Sequence, residues 1–98
     1  MEIKITENGT SVTLAIEGYL DTRTAKDAEE VFAEVGQKYD EILIDLAGTS
    51  YISSAGIRVL RKLYANMYKK GGRFSMINPG EEVLRVLEMT GLLDLLHL

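Results

Sequence analysis

The stretch "EILIDLAGTSYISSAGIRVL", residues 41–60, decides the fold. It opens on a short apolar run, Ile42-Leu43-Ile44, interrupted by Asp45 and closed by Leu46. A run of that length reads as a central strand buried on both faces. The loop "AGTSYIS" follows. From residue 54 to 69, Ile57, Leu60, Leu63, Tyr64 and Met67 then recur at helical spacing, and Arg58, Arg61, Lys62 and Asn66 fall on the other side. Lys69, Lys70 and Gly71 supply the basic charge and the stop expected at a helix end. Two adjacent serines, Ser53 and Ser54, therefore sit where the loop becomes a helix.

Outward from this unit, "IKITENGTSVTLAI" (3–16) reads as a hairpin. Asn8-Gly9 as a two-residue type I′ turn pairs Ile5 with Val12 and Ile3 with Leu14, all on one face. "GYLDTRT" (18–24) is a loop, and Thr24 with Asp27 resembles a capping box. Ala25, Ala28, Val31, Phe32 and Val35 then share a helical face, with Gly36 as the stop. "RFSMIN" (73–78) is a strand closed by Pro79-Gly80. Residues 81–90 form a third helix with Val83, Leu84 and Leu87 inward and Gly91 as its stop. The tail carries Leu92, Leu93, Leu95, Leu96 and Leu98, too apolar to lie in water as one patch, so it is expected to pack on the sheet or in a dimer contact.

The order is β-β-α-β-α-β-α, with the tail a candidate final strand, in one α/β domain over residues 1–98. Strand-helix-strand crossovers are parallel and right-handed. The strands ending near residues 17, 46 and 78 should then point the same way, which puts the loops Gly18–Thr22 and Ala47–Ser54 at one sheet edge. Open α/β sheets carry their sites at that edge.

Composition narrows the chemistry. With no cysteine, neither a disulfide nor a Cys-ligated zinc site can form, and the single histidine, His97, reads as a terminal surface residue. A net charge of −4 disfavours nucleic acid as a partner, because phosphate binding needs a basic surface. The start, "MEIKITENG", is no signal peptide, and the apolar runs fall far short of a membrane span. The chain is expected to be soluble and intracellular, not embedded in a membrane.

The serine pair admits three readings. Ser53 is placed to cap the helix. That explains neither Ser54 nor the Ala55-Gly56 pair, since a glycine near a helix start suggests close backbone approach by something. A hydrolase nucleophile is the second reading. Here Gly48-x-Ser50 lacks the second glycine of the nucleophile elbow, and only His97 could act as base. A phosphate-cradling loop also fails, because the segment lacks the lysine that reaches the terminal phosphates. The third is a modified serine. A phosphate on Ser54 would lie in the first helical turn, where the dipole favours it, and would add about −1.5 to −2 charge to an exposed edge.

The segments "IEGYLDTRTA", "ILIDLAGTSYISSAGIRVL", "GGRFSMINP" and "VLEMTGLLDLL" resemble, in order and spacing, a STAS domain of the bacterial anti-sigma factor antagonist family. The likeness covers most of the chain from residue 11 onward and is most specific at "YISSAGIRVL". It implies a small mixed sheet flanked by helices. It also implies a binding protein, not an enzyme, with no cofactor of its own. The partner it implies is an anti-sigma factor that is itself a serine kinase. The unmodified form binds this kinase, which frees a sigma factor. Phosphorylation from the kinase's ATP and Mg²⁺ switches the binding off, and a phosphatase restores it, all in the cytoplasm.

On alignment the modified residue is Ser54. The family more often has Asp where this chain has Ser53, and often a second Ser where it has Ala55, so Ser53 stands as the alternative. Asp21, Thr22, Ser53, Ser54, Gly56 and Arg58 are the expected partner-binding residues. For Asp21 a local cap is the competing role, and for Arg58 and Arg61 a solvated face. Tyr19 and Tyr51 flank the site as candidate interface residues, with half-buried packing the more frequent role of a Tyr at a sheet edge. Family members commonly carry one more helix after the segment matching "TGLLDLL". The surface it covers is expected here to be open or covered by a partner or a second copy. The same fold also serves as a non-phosphorylated subunit of transporter or stress-signalling complexes, which is the alternative function.

Overall fold

Val12, Leu14 and Ile16 alternate with partly exposed residues along one strand, and this alternation organises the whole domain. The computed structural model describes residues 1–96; His97 and Leu98, the latter among the tail leucines expected to pack, lie outside the described residues. The strands are β1 (Glu2–Asn8), β2 (Ser11–Leu20), β3 (Glu41–Asp45), β4 (Thr49–Ile52) and β5 (Arg73–Ile77). The helices are α1 (Ala25–Lys38), α2 (Ser54–Lys69) and α3 (Glu81–Met89), and a 3₁₀ turn spans Leu93–Leu95. The expected order holds, with one short strand, β4, added inside what reads from sequence as a loop.

The sheet runs β1-β2-β3-β5. β1 is antiparallel to β2, and β2, β3 and β5 are parallel, so their carboxyl ends do share one edge. The registers line up Leu14 with Ile44 and Met76, and Val12 with Ile42 and Phe74. These rows face Ala28, Phe32 and Val35 of α1, Ile57, Leu60, Leu63 and Met67 of α2, and Val83 and Leu87 of α3 in one apolar cluster.

β3 is buried on one face, not two. Ile42 and Ile44 are buried, while Leu43 and Asp45 between them are only half-buried. In register with Leu43 stand Thr13 and Ser75, so the opposite face of the sheet is largely polar. An apolar run of three residues carries no period that would separate these cases.

The hairpin differs by two residues from the expected pairing. Ile5 lies opposite Leu14 and Ile3 opposite Ile16, with Asn8 paired to Ser11. The turn is therefore centred on Gly9-Thr10. Gly9 alone has positive φ there, at 66°, which is the glycine-first pattern of a type II′ turn. The amides of Asp40 and Glu41 both donate to the Thr10 carbonyl, which ties the turn to the start of β3. A shift of two keeps every side chain on its face, so the hydrophobic pattern is the same for both registers. The Tyr39 hydroxyl donates to the Glu7 carboxylate, pinning β1 to the segment after α1. That bond, with burial, holds the phenol above its ordinary pKa.

α1 runs through Gly36 to Lys38. Gly36 is buried, and a Cβ there would meet Leu63 Cδ1 at 3.4 Å, so it marks the contact with α2 and not a helix stop. The Lys70 ammonium donates to the carbonyls of Gly36 and Tyr39 and closes the end of α1 from across that contact. On α3, Val86 faces the core more than Leu84, which is exposed.

The expected final strand is a single parallel bridge, Met76 to Leu96. Leu92 is 6% exposed, and Leu95 and Leu96 pack partly against the core, while Leu93 faces out. Leu92→Ala should therefore lower the unfolding free energy by about 2–5 kcal/mol. Leu93→Ala should change it by about 0.5 kcal/mol or less. Urea titration of both variants checks the docking of the tail, and equal losses would contradict it.

Candidate functional site

β2 continues past the end of β3. Its last residues pair in parallel with β4, Gly18 with Thr49, Tyr19 with Tyr51 and Leu20 with Ile52. The buried Thr49 hydroxyl donates to the Ile16 carbonyl at 2.6 Å, and the Gly18 amide donates to Gly48 at 2.9 Å. "TSYI" is rich in β-formers, which is the signal a sequence reading could have used. Four residues are too few for alternation to register.

The ladder ends by setting the helix. The Ser53 amide donates to the Leu20 carbonyl at 2.9 Å. Ser53 is still extended, at φ −89° and ψ 176°, and its Oγ accepts the Gly56 amide at 3.3 Å. That is the geometry of a helix N-cap. Ser54 is then the first helical residue, exposed, and its hydroxyl makes no hydrogen bond among the described residues. Among the described residues it has no hydrogen-bonded base that could activate it as a nucleophile, and His97 lies outside them.

Gly56 lies beneath this edge. It is buried, and a Cβ there would stand 2.6 Å from the Leu20 carbonyl oxygen and 2.9 Å from Leu20 Cγ. The close approach that the glycine signals is therefore made by the protein's own β2. Gly56 offers no surface to a partner and acts by letting α2 seat against the strand.

The turn before α1 follows a different scheme from the expected Thr24–Asp27 box. Thr24 is already helical in backbone and caps nothing with its side chain. Its hydroxyl donates to the Tyr19 carbonyl at 2.8 Å and accepts the Asp21 amide at 2.9 Å. The Asp21 carboxylate in turn accepts the amides of Arg23 and Thr24. Asp21 and Thr24 thus form the reciprocal pair, three residues earlier than expected. Asp21 is half-buried and committed to this turn, while Thr22 beside it is exposed.

Leu20 connects the two halves of the edge, since Asp21 follows it in the chain and Ser53 bonds to it. Asp21, Thr22, Ser53 and Ser54 are therefore brought together as the crossover rule requires, and Arg58 stands exposed one turn along α2.

Tyr19 and Tyr51 are not half-buried packing. They are 58% and 43% exposed, with ring centroids 6.1 Å apart and planes tilted by 46°. Their neighbours Leu20 and Ile52 point to the core, so the strand alternation sends the tyrosines outward. Beyond Tyr51 a groove of about 180 Å³ runs to α3, lined by Ile52, Arg85, Val86 and the exposed Met89. The first turn of α2 contains no acidic residue, so the positive end of its dipole is uncompensated at the edge.

These features define a small α/β domain whose accessible chemistry is concentrated on one sheet edge. The STAS domain family matches residues 2–98, and the chain belongs to that family. It is similar to the anti-sigma-B factor antagonist of Bacillus subtilis (strain 168), 26% identical over 98 residues covering all of this chain and 88% of the relative. Its fold matches the anti-sigma factor antagonist SpoIIAA in its unphosphorylated form, with a TM-score of 0.88 at 16% identity over 98% of this chain and 86% of the other. The phosphorylated form of the Bacillus cell fate determinant SpoIIAA matches with a TM-score of 0.81 at 15% identity, over 98% and 89%. Among the described residues, no helix is long and apolar enough to cross a membrane.

The two serines should separate in a stability assay. Ser53→Ala, which removes the cap, should cost about 0.5–2 kcal/mol. Ser54→Ala should cost almost nothing, and Gly56→Ala should cost about 1–3 kcal/mol through overpacking against Leu20. Thermal and urea unfolding of the three variants measures this. A costly Ser54→Ala with a neutral Ser53→Ala would reverse the assignment of the cap.

Proposed function

We propose that this chain is an anti-sigma factor antagonist working in the cytoplasm. In its unmodified form it binds an anti-sigma factor through the edge formed by Asp21, Thr22, Ser53, Ser54 and Arg58, and so releases a sigma factor. The observation that carries this reading is the division of labour at residues 53 and 54. Ser53 is engaged as the cap, whereas Ser54 presents an exposed hydroxyl with no hydrogen bond among the described residues, on the first helical turn near an exposed tyrosine pair. Exposed aromatics at an edge supply the desolvated contact area that interfaces use as anchors.

The anti-sigma factor is a serine kinase holding ATP and Mg²⁺. Its γ-phosphoryl group moves to Ser54 Oγ. The new O–P bond replaces the bond from the γ-phosphorus to the β,γ-bridging oxygen, ADP leaves, and the hydroxyl proton passes to a base of the kinase. A phosphatase then hydrolyses the serine phosphate and restores binding. The phosphate would not melt the helix, because negative charge in the first turn suits the dipole. It acts on binding, since like charges brought together at an interface cost several kcal/mol.

Co-purification from the native host identifies the kinase, which is then titrated with the parent and three variants. Ser54→Asp should melt within a few degrees of the parent yet bind far more weakly. Ser54→Ala should bind and accept no phosphate. Substituting Asn8 at the hairpin, away from the edge, should leave affinity unchanged. Full-affinity binding by Ser54→Asp, or full phosphorylation of Ser54→Ala, would remove the switch from Ser54 and make Ser53 the residue to test.

A further inference from the structure

Ser54 and Arg58 stand four residues apart on α2, and both are exposed. That spacing stacks their side chains on one helix face, about 5–6 Å apart at Cβ, with the position that would gain negative charge on the amino-terminal side, the favoured order for such a pair. The other cations on this part of the helix are engaged. Arg61 donates to the Thr90 carbonyl, and Lys62 pairs with Glu29 at 2.8 Å. The ion pairs among the described residues are Lys62–Glu29 and Lys4–Glu17, so Arg58 has no carboxylate partner there.

We propose that Arg58 is the counter-ion of a phosphate on Ser54, a latch that closes only when the serine is modified. This rests on the reading of Ser54 as the modified residue. A serine phosphate brings about −1.5 to −2 charge and three acceptor oxygens, and a guanidinium fork matches that geometry with paired hydrogen bonds. Modification then changes the edge twice. It adds an anion where the partner docks, and it folds onto the helix a cation that is otherwise free to reach the partner. The two effects act together, which makes the switch sharper than a charge added to an inert surface.

The test uses the full chain with phosphoserine encoded at position 54, made without any kinase, and follows the phosphate by ³¹P NMR as pH is varied. The second ionisation, ordinarily near pH 6, should fall lower in the parent than in Arg58→Gln by about half a unit. Arg58→Lys should recover part of the difference, and Arg61→Gln should leave the parent value unchanged. Raising the salt to about 1 M, where screening acts over roughly 3 Å, should shrink the gap. Equal ionisation in the parent and Arg58→Gln would overturn the pairing, as would an effect of equal size from Arg61→Gln. Because the phosphate is installed synthetically, that failure is distinct from failure of the functional reading. A chain isolated from its host with no phosphate on Ser54 under any condition would overturn the latter and leave the measured pairing standing.

Discussion

The Leu20 carbonyl is the point on which the site depends. It accepts the Ser53 amide, and its oxygen lies so near Gly56 that no side chain fits between strand and helix. These two contacts fix where β4 ends, where α2 begins and how closely the helix approaches the sheet. Once they are set, Ser53 has to be the cap and Ser54 has to face outward. The exposure of Ser54 is therefore a consequence of packing two residues away.

β2 makes this possible because it serves two neighbours in succession. Residues up to Ala15 pair with β3 and those from Gly18 with β4, and the β4 ladder carries an irregularity between Gly18 and Tyr19. The first half carries the core through Val12, Leu14 and Ile16. The second half carries Leu20 inward and Tyr19 outward, and Asp21 follows directly into the turn that starts α1. The strand thus gives its first half to the core and its end to the exposed edge.

Charge follows the same separation. The chain is acidic overall, yet its accessible edge combines a helix start with no acidic residue in its first turn, an Arg58 with no ion-pair partner among the described residues, and an aromatic pair. Two acidic groups near it are engaged in local structure, while Glu82 lines the groove beside Tyr51. Asp21 holds its turn, and Asp45 accepts the Ala47 amide at the end of β3.

The sequence by itself determined the succession of long elements, the parallel polarity of β2, β3 and β5, the cap at Ser53 and the outward stripe of α2. Each is written in a local period, a crossover rule or a short-range hydrogen bond. What tertiary structure decided were features whose cause lies far along the chain. The hairpin register depends on the Thr10 carbonyl meeting β3, because both registers keep the same faces. The one-sided burial of β3 depends on all three helices lying over the same face of the sheet. β4 exists because β2 outruns β3, and the roles of Gly36 and Gly56 depend on Leu63 and Leu20 arriving beside them. A glycine announces that something comes close, but only the folded chain identifies it, since the contact joins residues that no local pattern relates.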